Sequence, residues 1–200
     1  MSDFLQQKPI ILASGSAIRF KLMSSLGLEF SVVPSGCDEE TIKTTHSDKE
    51  AIDLGYFLAK SKALDVSRKN PDHFVIAADQ LCLIGKTILD KPMNHATAVT
   101  HLRMLRGKTH QQIACLCIAK NNEILWQHHD IAYLTLRDLS DNTIEAYLKS
   151  EKPYFSCGAY QFETQGKWLF KEVKGDENTI LGLPLLPLIQ ALVQLEAVHI

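Results

Sequence analysis

Residues 9–26, PIILASGSAIRFKLMSSL, change character twice in a short span. Pro9 to Ala13 is an unbroken apolar run that reads as a buried strand. Ser14-Gly15-Ser16 follows as a tight turn. Ala17 to Leu26 then carries apolar residues at helical spacing, and Gly27 closes it. A buried strand feeding a helix through so short a turn opens an α/β fold.

The chain around this stretch supports that reading. Phe30 to Val33 predicts the next strand, running into an acidic loop, Cys37-Asp38-Glu39-Glu40. Ser47 and Glu50 have capping-box spacing for a helix reaching about Arg68, with Ile52, Leu54, Phe57, Leu58 and Leu64 on one face. Phe74 to Ala78 reads as a central strand, and the following LCLIGKTIL predicts a strand reversal at Gly85-Lys86. Asn94 can cap a helix to Arg106, closed by Gly107. Strand-like segments 109–119 and 123–136 flank Asn121-Asn122, a strong hairpin signal. A helix from Ser140 to Lys149, a strand at 168–173 and a C-terminal helix complete the pattern. Early alternation of strand and helix, followed by a hairpin, predicts a mixed sheet with helices on its faces. No Pro/Gly/Ser linker divides the sequence, so one domain over residues 1–200 is expected.

Composition narrows the function. The chain is 46% apolar, which suits a sizeable core, and its formal net charge is −2 with 22% charged residues. Without a basic excess, extended nucleic acid is not an expected partner, whereas a small anion needs only a few local cations. Cys37, Cys82, Cys115, Cys117 and Cys157 are odd in number and fit neither a disulfide framework nor a C-x₂-C zinc pair. Reduced thiols in a cytoplasmic protein are expected. The N-terminus lacks the cationic and apolar regions of a signal peptide. Pro184, Pro187, Gln190, Gln194 and Glu196 interrupt the apolar run from Leu181 to Ile200, so a packed helix is expected there rather than a membrane span.

Several segments carry candidate chemistry. At the Ser14-Gly15-Ser16 turn, unpaired N–H groups and the helix dipole favour an anion, two hydroxyls add donors, and Arg19 lies in the first helical turn. Taken alone, Ser16 is equally a plain helix cap. Asp79-Gln80 follows a strand out of the core, where α/β proteins place ligands; Asp79 alone could be a turn residue. Glu39 belongs to a charge run that could hold a divalent cation or simply be solvated. Lys62 and Lys91, each taken singly, read as surface lysines.

In this order, the segments LASGSAIR, CDEE, LAKSKAL, VIAADQ, ILDKP, LRGKTH, GAYQFETQG and GDENTILGLPL resemble the Maf family of nucleoside triphosphate pyrophosphatases, from about Pro9 to Leu192. That resemblance implies an elongated α/β fold of the Maf/ITPase-like kind with a central cleft. It also implies hydrolysis of a nucleoside triphosphate to the monophosphate and pyrophosphate, aided by Mg²⁺ or Mn²⁺. By the same resemblance Asp79 matches the general base, and Ser14, Ser16, Arg19, Lys62 and Lys91 match the residues that hold the substrate. Glu39 matches an acidic residue of the site, and Glu39 with Asp79 could hold the metal; sequence leaves Asp79 open as free base or ligand. Family similarity is compatible with a homodimer.

Ile18, Gln80 and Glu163 fall where the family's branches differ. The branch acting on dTTP and UTP typically has Arg, Thr and Gln there; that acting on 7-methyl-GTP has Trp, Gln and Glu. Two of three positions match the second. Glu163 can accept from both guanine N1–H and the N2 amino group, and N7 methylation adds positive charge that favours an anionic partner. Ile18 departs from both patterns and gives up indole stacking on a cationic base. The expected substrate is 7-methyl-GTP or a related modified nucleotide. The alternatives are a dTTP/UTP enzyme of the same family and a non-catalytic nucleotide-binding regulator of cell division.

Overall fold

In chain order, the computed structural model, which describes residues 5–200, contains β1 (Leu5–Gln6), β2 (Ile10–Leu12), α1 (Ala17–Ser24), β3 (Phe30–Val32), α2 (Glu39–Thr45) and α3 (Ala51–Lys69). Then come β4 (Phe74–Ile84), β5 (Thr87–Leu89), α4 (His95–Leu105), β6 (Thr109–Lys120), β7 (Glu123–Leu136) and α5 (Asp141–Glu151). Two 3₁₀ turns precede β8 (Phe170–Lys174), α6 (Glu177–Ile180), α7 (Leu185–Gln194) and β9 (Val198–His199). Among the described residues the main sheet has seven strands in the order β3-β2-β4-β6-β7-β8, with β5 on β4. It is mixed: β2 runs parallel to β3 and β4, while β4–β5 and β7–β8 are antiparallel. The mixed α/β reading is thus borne out.

Local chemistry explains the elements. Asn121 and Asn122 adopt φ of 49° and 61°, the left-handed pair that a two-residue hairpin needs to match strand twist. Asn94 and Ser140 cap α4 and α5, accepting from Thr97 N and Thr143 N. Leu188, Ala191 and Leu192 are the buried stripe of α7.

Contacts divide the chain into two units. The first comprises the chain up to Asp79, Ala114–Asp130 and Gly182–Ile200, and its core gathers Ile10, Leu12, Met23, Phe74, Ile76 and Leu188. The second comprises Gln80–Ile113 and Ile131–Leu181, with a core around Leu102, Leu105, Leu134, Leu148, Tyr160 and Phe170.

Some expectations require correction. The acidic loop is the first turn of α2: Asp38 caps it by accepting from Thr41 N, and Glu39 and Glu40 suit the positive end of the dipole. Ser47 does not start the next helix; it lies in the turn after α2, and α3 begins at Ala51 with Glu50 at its cap position making no side-chain cap bond. The strand from Phe74 continues through Asp79 to Ile84. The expected strand at 168–173 begins at Phe170. The C-terminal apolar run splits into α7 and β9, which pairs with β1. No helix among the described residues is long and apolar enough to cross a membrane. All five cysteines are free thiols. The signal-peptide reading begins on residues 1–4, which lie outside the described residues.

Candidate functional site

The turn after β2 is shaped by its own hydroxyls. Ser14 Oγ accepts from Ser16 N at 3.2 Å, and Ser16 Oγ accepts from Arg19 N at 3.4 Å as the cap of α1. Gly15 is exposed between them, and a Cβ built there would meet nothing within 4 Å. The protein's own packing therefore gives no reason for glycine here, whereas close approach of a ligand to the backbone does. No acidic residue stands in the first turn of α1, so no side chain of that turn offsets the positive end of its dipole.

Arg19 is partly committed to the scaffold. Its Nε donates to Gly182 O at 2.9 Å and its Nη1 to Ala78 O at 2.8 Å. The guanidinium thereby joins the first turn of α1 to the peptide just before Asp79 and to the chain ahead of α7. The planar guanidinium reaches the two carbonyls through two different nitrogens held in a fixed fork. Ile18, beside it in the same turn, is half-buried.

Asp79 lies in mid-strand, just beyond the stretch of β4 that pairs with β2. The parallel pairing of β2 to β4 ends at Leu12 and Ile76, and the chain then turns away at Ser14. Asp79 falls three positions past the last paired residue. The site thus lies where the neighbouring strand stops, which preserves the physical sense of a strand-edge ligand position.

The buried face of α3 carries Leu54, Leu58, Ala59, Lys62, Ala63 and Val66. Lys62 is its one charge, only 7% exposed, and the surface reading of this lysine is overturned. Its Nζ lies 2.6 Å from Oδ1 of Asp79, itself 6% exposed, and 3.1 Å from Oε1 of Glu39 on α2. A buried ammonium without partners would be very costly, so the two carboxylates account for its placement. Glu39 is the more exposed partner. Burial, with the charges of Asp79 and Asp53, pushes the Cys115 thiol up to about 12, so it stays neutral. Cys115 escaped the sequence reading as a neighbour of Asp79 because β-strand pairing, not spacing, brings it there.

The remaining candidates belong to the second unit. The Gln80 amide donates to Ile180 O and Thr179 O at the end of α6. Lys91 is exposed just past β5 and forms no ion pair among the described residues. Glu163 is exposed on the turn between the two 3₁₀ segments. The structure therefore brings Glu39, Lys62 and Asp79 together and ties Arg19 to the strand that carries Asp79.

A mixed α/β sheet, a hydroxyl-lined strand-to-helix turn and a buried lysine between two carboxylates define an α/β protein with a charged site suited to an anionic ligand. More specifically, the chain belongs to the family described as Maf-like protein, whose model matches residues 9–195. It is 66% identical over 200 residues, the full length of both chains, to a nucleoside triphosphate pyrophosphatase of Legionella pneumophila (strain Corby). It is 39% identical over 191 residues to a protein of the same name from Nitrobacter hamburgensis, covering 94% of this chain and 95% of the relative. A 7-methyl-GTP pyrophosphatase of Rhizobium meliloti is 39% identical over 196 residues, 96% of this chain and 98% of that one.

Proposed function

We propose that this protein hydrolyses a nucleoside triphosphate between its α and β phosphates, releasing the monophosphate and pyrophosphate. The observation that carries the reading is the buried Lys62 ammonium held by Asp79 and Glu39, on the unit that also carries the Ser14–Ser16 turn. The names of the full-length relatives point the same way.

The chemistry follows from these groups. The turn N–H groups and hydroxyls bind phosphate oxygens. Lys62 can shift its donors from the carboxylates to the charge that spreads over those oxygens as the bond breaks. Asp79, whose Oδ1 meets Lys62, has a second oxygen to orient and deprotonate the attacking water. Glu39 and Asp79 are two hard oxygen donors drawn to one cation, which suits Mg²⁺ or Mn²⁺; either ion usually takes one or two carboxylates and leaves the rest to substrate phosphates and water. Bound there, the ion would neutralise phosphate charge.

On substrate choice, 7-methyl-GTP fits best. Glu163 offers two acceptors to the two adjacent guanine donors, and a relative of that name is 39% identical. Lys91 and Gln80 complete the assignment as triphosphate and base contacts, in a cytoplasmic enzyme. A screen of canonical and modified nucleoside triphosphates with Mg²⁺ and with Mn²⁺, scoring pyrophosphate against orthophosphate, tests the reading. Pyrophosphate release, fastest from 7-methyl-GTP, is expected. Orthophosphate as the product would refute α–β cleavage, and preference for UTP or dTTP would move the protein to the other branch.

A further inference from the structure

The turn that carries Glu163 is held by a buried polar network that the proposed chemistry does not use. Tyr160, 4% exposed, places its hydroxyl 2.7 Å from His110 Nε2 and 2.7 Å from Gln112 Nε2. Both partners are 2% exposed and lie two apart on β6, hence on one face of the strand. The Gln112 amide donates to the hydroxyl oxygen, and the same oxygen is paired with His110 Nε2, the donor being set by the imidazole tautomer. Gln161 N donates to Tyr147 Oη at 3.0 Å. Thr164 N donates to Gln161 O at 3.4 Å, the Thr164 hydroxyl donates to the Glu151 carboxylate, and Gly166 approaches the Gln161 carbonyl so closely that a Cβ would lie 2.0 Å from its oxygen. Phe162 and Tyr160 both pack on Phe170. The backbone on both sides of Glu163 is therefore fixed while its side chain faces outward.

This network is a poor choice for stability. His110 Nδ1 and Gln112 Oε1 are buried with no hydrogen-bond partner among the described residues. Leaving such atoms unpaired has a cost that an apolar cluster of the same volume would not incur. What the polar trio supplies is direction, because a hydroxyl held by two side chains from one strand can take only one place.

We propose that His110, Gln112 and Tyr160 are specificity-positioning residues, which fix the turn so that the Glu163 carboxylate meets two adjacent donors of a guanine-type base. The proposal rests on the base-reading role of Glu163. Accepting two parallel hydrogen bonds demands a fixed carboxylate plane, whereas attraction to a cationic base demands only its charge. Loosening the turn should therefore erode discrimination between bases before it erodes turnover.

The test is a double-mutant cycle on the ratio of kcat/KM for 7-methyl-GTP to that for UTP, using the full chain with Mg²⁺. The variants are Tyr160→Phe, Glu163→Gln and the two combined, with Gln112→Met in place of the first should Tyr160→Phe fail to fold by circular dichroism. Tyr160→Phe should lower the ratio roughly 5- to 30-fold, as expected for one hydrogen bond lost in the transition state, with kcat on UTP nearly unchanged. Combining it with Glu163→Gln should add little, because Tyr160 acts through Glu163. If Glu163→Gln changes the ratio but Tyr160→Phe does not, or if the two effects multiply, the positioning role is overturned while base reading stands. If Glu163→Gln leaves the ratio unchanged, base reading fails and the positioning role fails with it.

Discussion

The ammonium of Lys62 lies 2.6 Å from Oδ1 of Asp79, and the same nitrogen reaches Oε1 of Glu39 at 3.1 Å. One cation from the core face of α3 thus meets carboxylates from β4 and α2. The two carboxylates are not equivalent, since Asp79 is buried and Glu39 is partly solvated. That asymmetry leaves Asp79 shielded from solvent and Glu39 open to exchange with it.

Asp79→Asn should nearly abolish pyrophosphate release while the triphosphate still binds, because the amide keeps the shape but cannot take a proton. Isothermal titration with a non-hydrolysable triphosphate, alongside turnover, checks this. Comparable turnover in the variant would remove Asp79 as the base.

Lys62→Met should destabilise more than Asp79→Asn. It leaves two carboxylates facing one another without their cation, and breaking a buried pair from one side costs about 3–5 kcal/mol. In Asp79→Asn, Glu39 still pairs with the ammonium. Urea unfolding of both variants should show the larger fall in midpoint for Lys62→Met; the reverse order would mean that the ammonium is held mainly by something else.

Arg19→Ala should show two losses. Two part-buried carbonyls, of Ala78 and Gly182, lose their donor, which costs about 1–3 kcal/mol of stability. Affinity for the triphosphate should also weaken by about 1.5–3 kcal/mol through loss of a charge-assisted bond to phosphate. A drop in Tm with unchanged affinity would confine Arg19 to the scaffold. Arg19→Lys should recover little of the Tm, because an ammonium lacks the fork.

Glu163→Gln should lower kcat/KM for 7-methyl-GTP by roughly 5- to 150-fold, since one acceptor becomes a donor facing a donor. Activity on UTP or dTTP should rise, at least relatively, because an amide both donates and accepts. Parallel changes on all substrates would show that Glu163 does not read the base.

Stability should fall on mild acidification. Burial holds His110 down at about 4, against 6.5 for an unperturbed imidazole. As pH drops below 6.5 the unfolded chain takes up a proton that the folded one refuses until about 4. The contribution of neutral His110 is therefore fully present above 6.5 and is lost progressively between 6.5 and 4. By linkage it amounts to about 3 kcal/mol at most. Burial lowers His101 and His128 as well, so they act with the same sign. Denaturant midpoints between pH 7 and 4 should show a shallower slope in His110→Gln than in the parent; identical slopes would mean that His110 does not carry the effect.

Much of this architecture was legible in local residues. The turn after β2, the caps at Asn94 and Ser140 and the left-handed pair Asn121-Asn122 each depend on chemistry within a few positions, so sequence alone set them. Periodicity was only a partial guide to α3: Leu54 and Leu58 lie on its buried face as expected, but Phe57 is exposed and the small residues Ala59 and Ala63, with Lys62, complete that face. The order of the segments also pointed to the family. Boundaries were less legible where competing caps existed: Asp38 took a helix that the charge run had disguised as a loop, and Ser47 lost its claim to start α3.

Tertiary structure decided what lies together across long sequence separations. Nothing in the spacing of Lys62 says that its ammonium is buried, since one lysine on an apolar-patterned helix can as well extend to solvent. Its burial follows from the carboxylates on β4 and α2 that make burial tolerable. Arg19 acquired its scaffold role in the same way, from carbonyls 59 and 163 positions away. Tyr160 found two polar partners on a strand that hydrophobicity alone marked as core. Backbone propensity and capping act over a few residues, so sequence displays them. Charge pairing and buried hydrogen bonds depend on distances that exist only after the chain has folded.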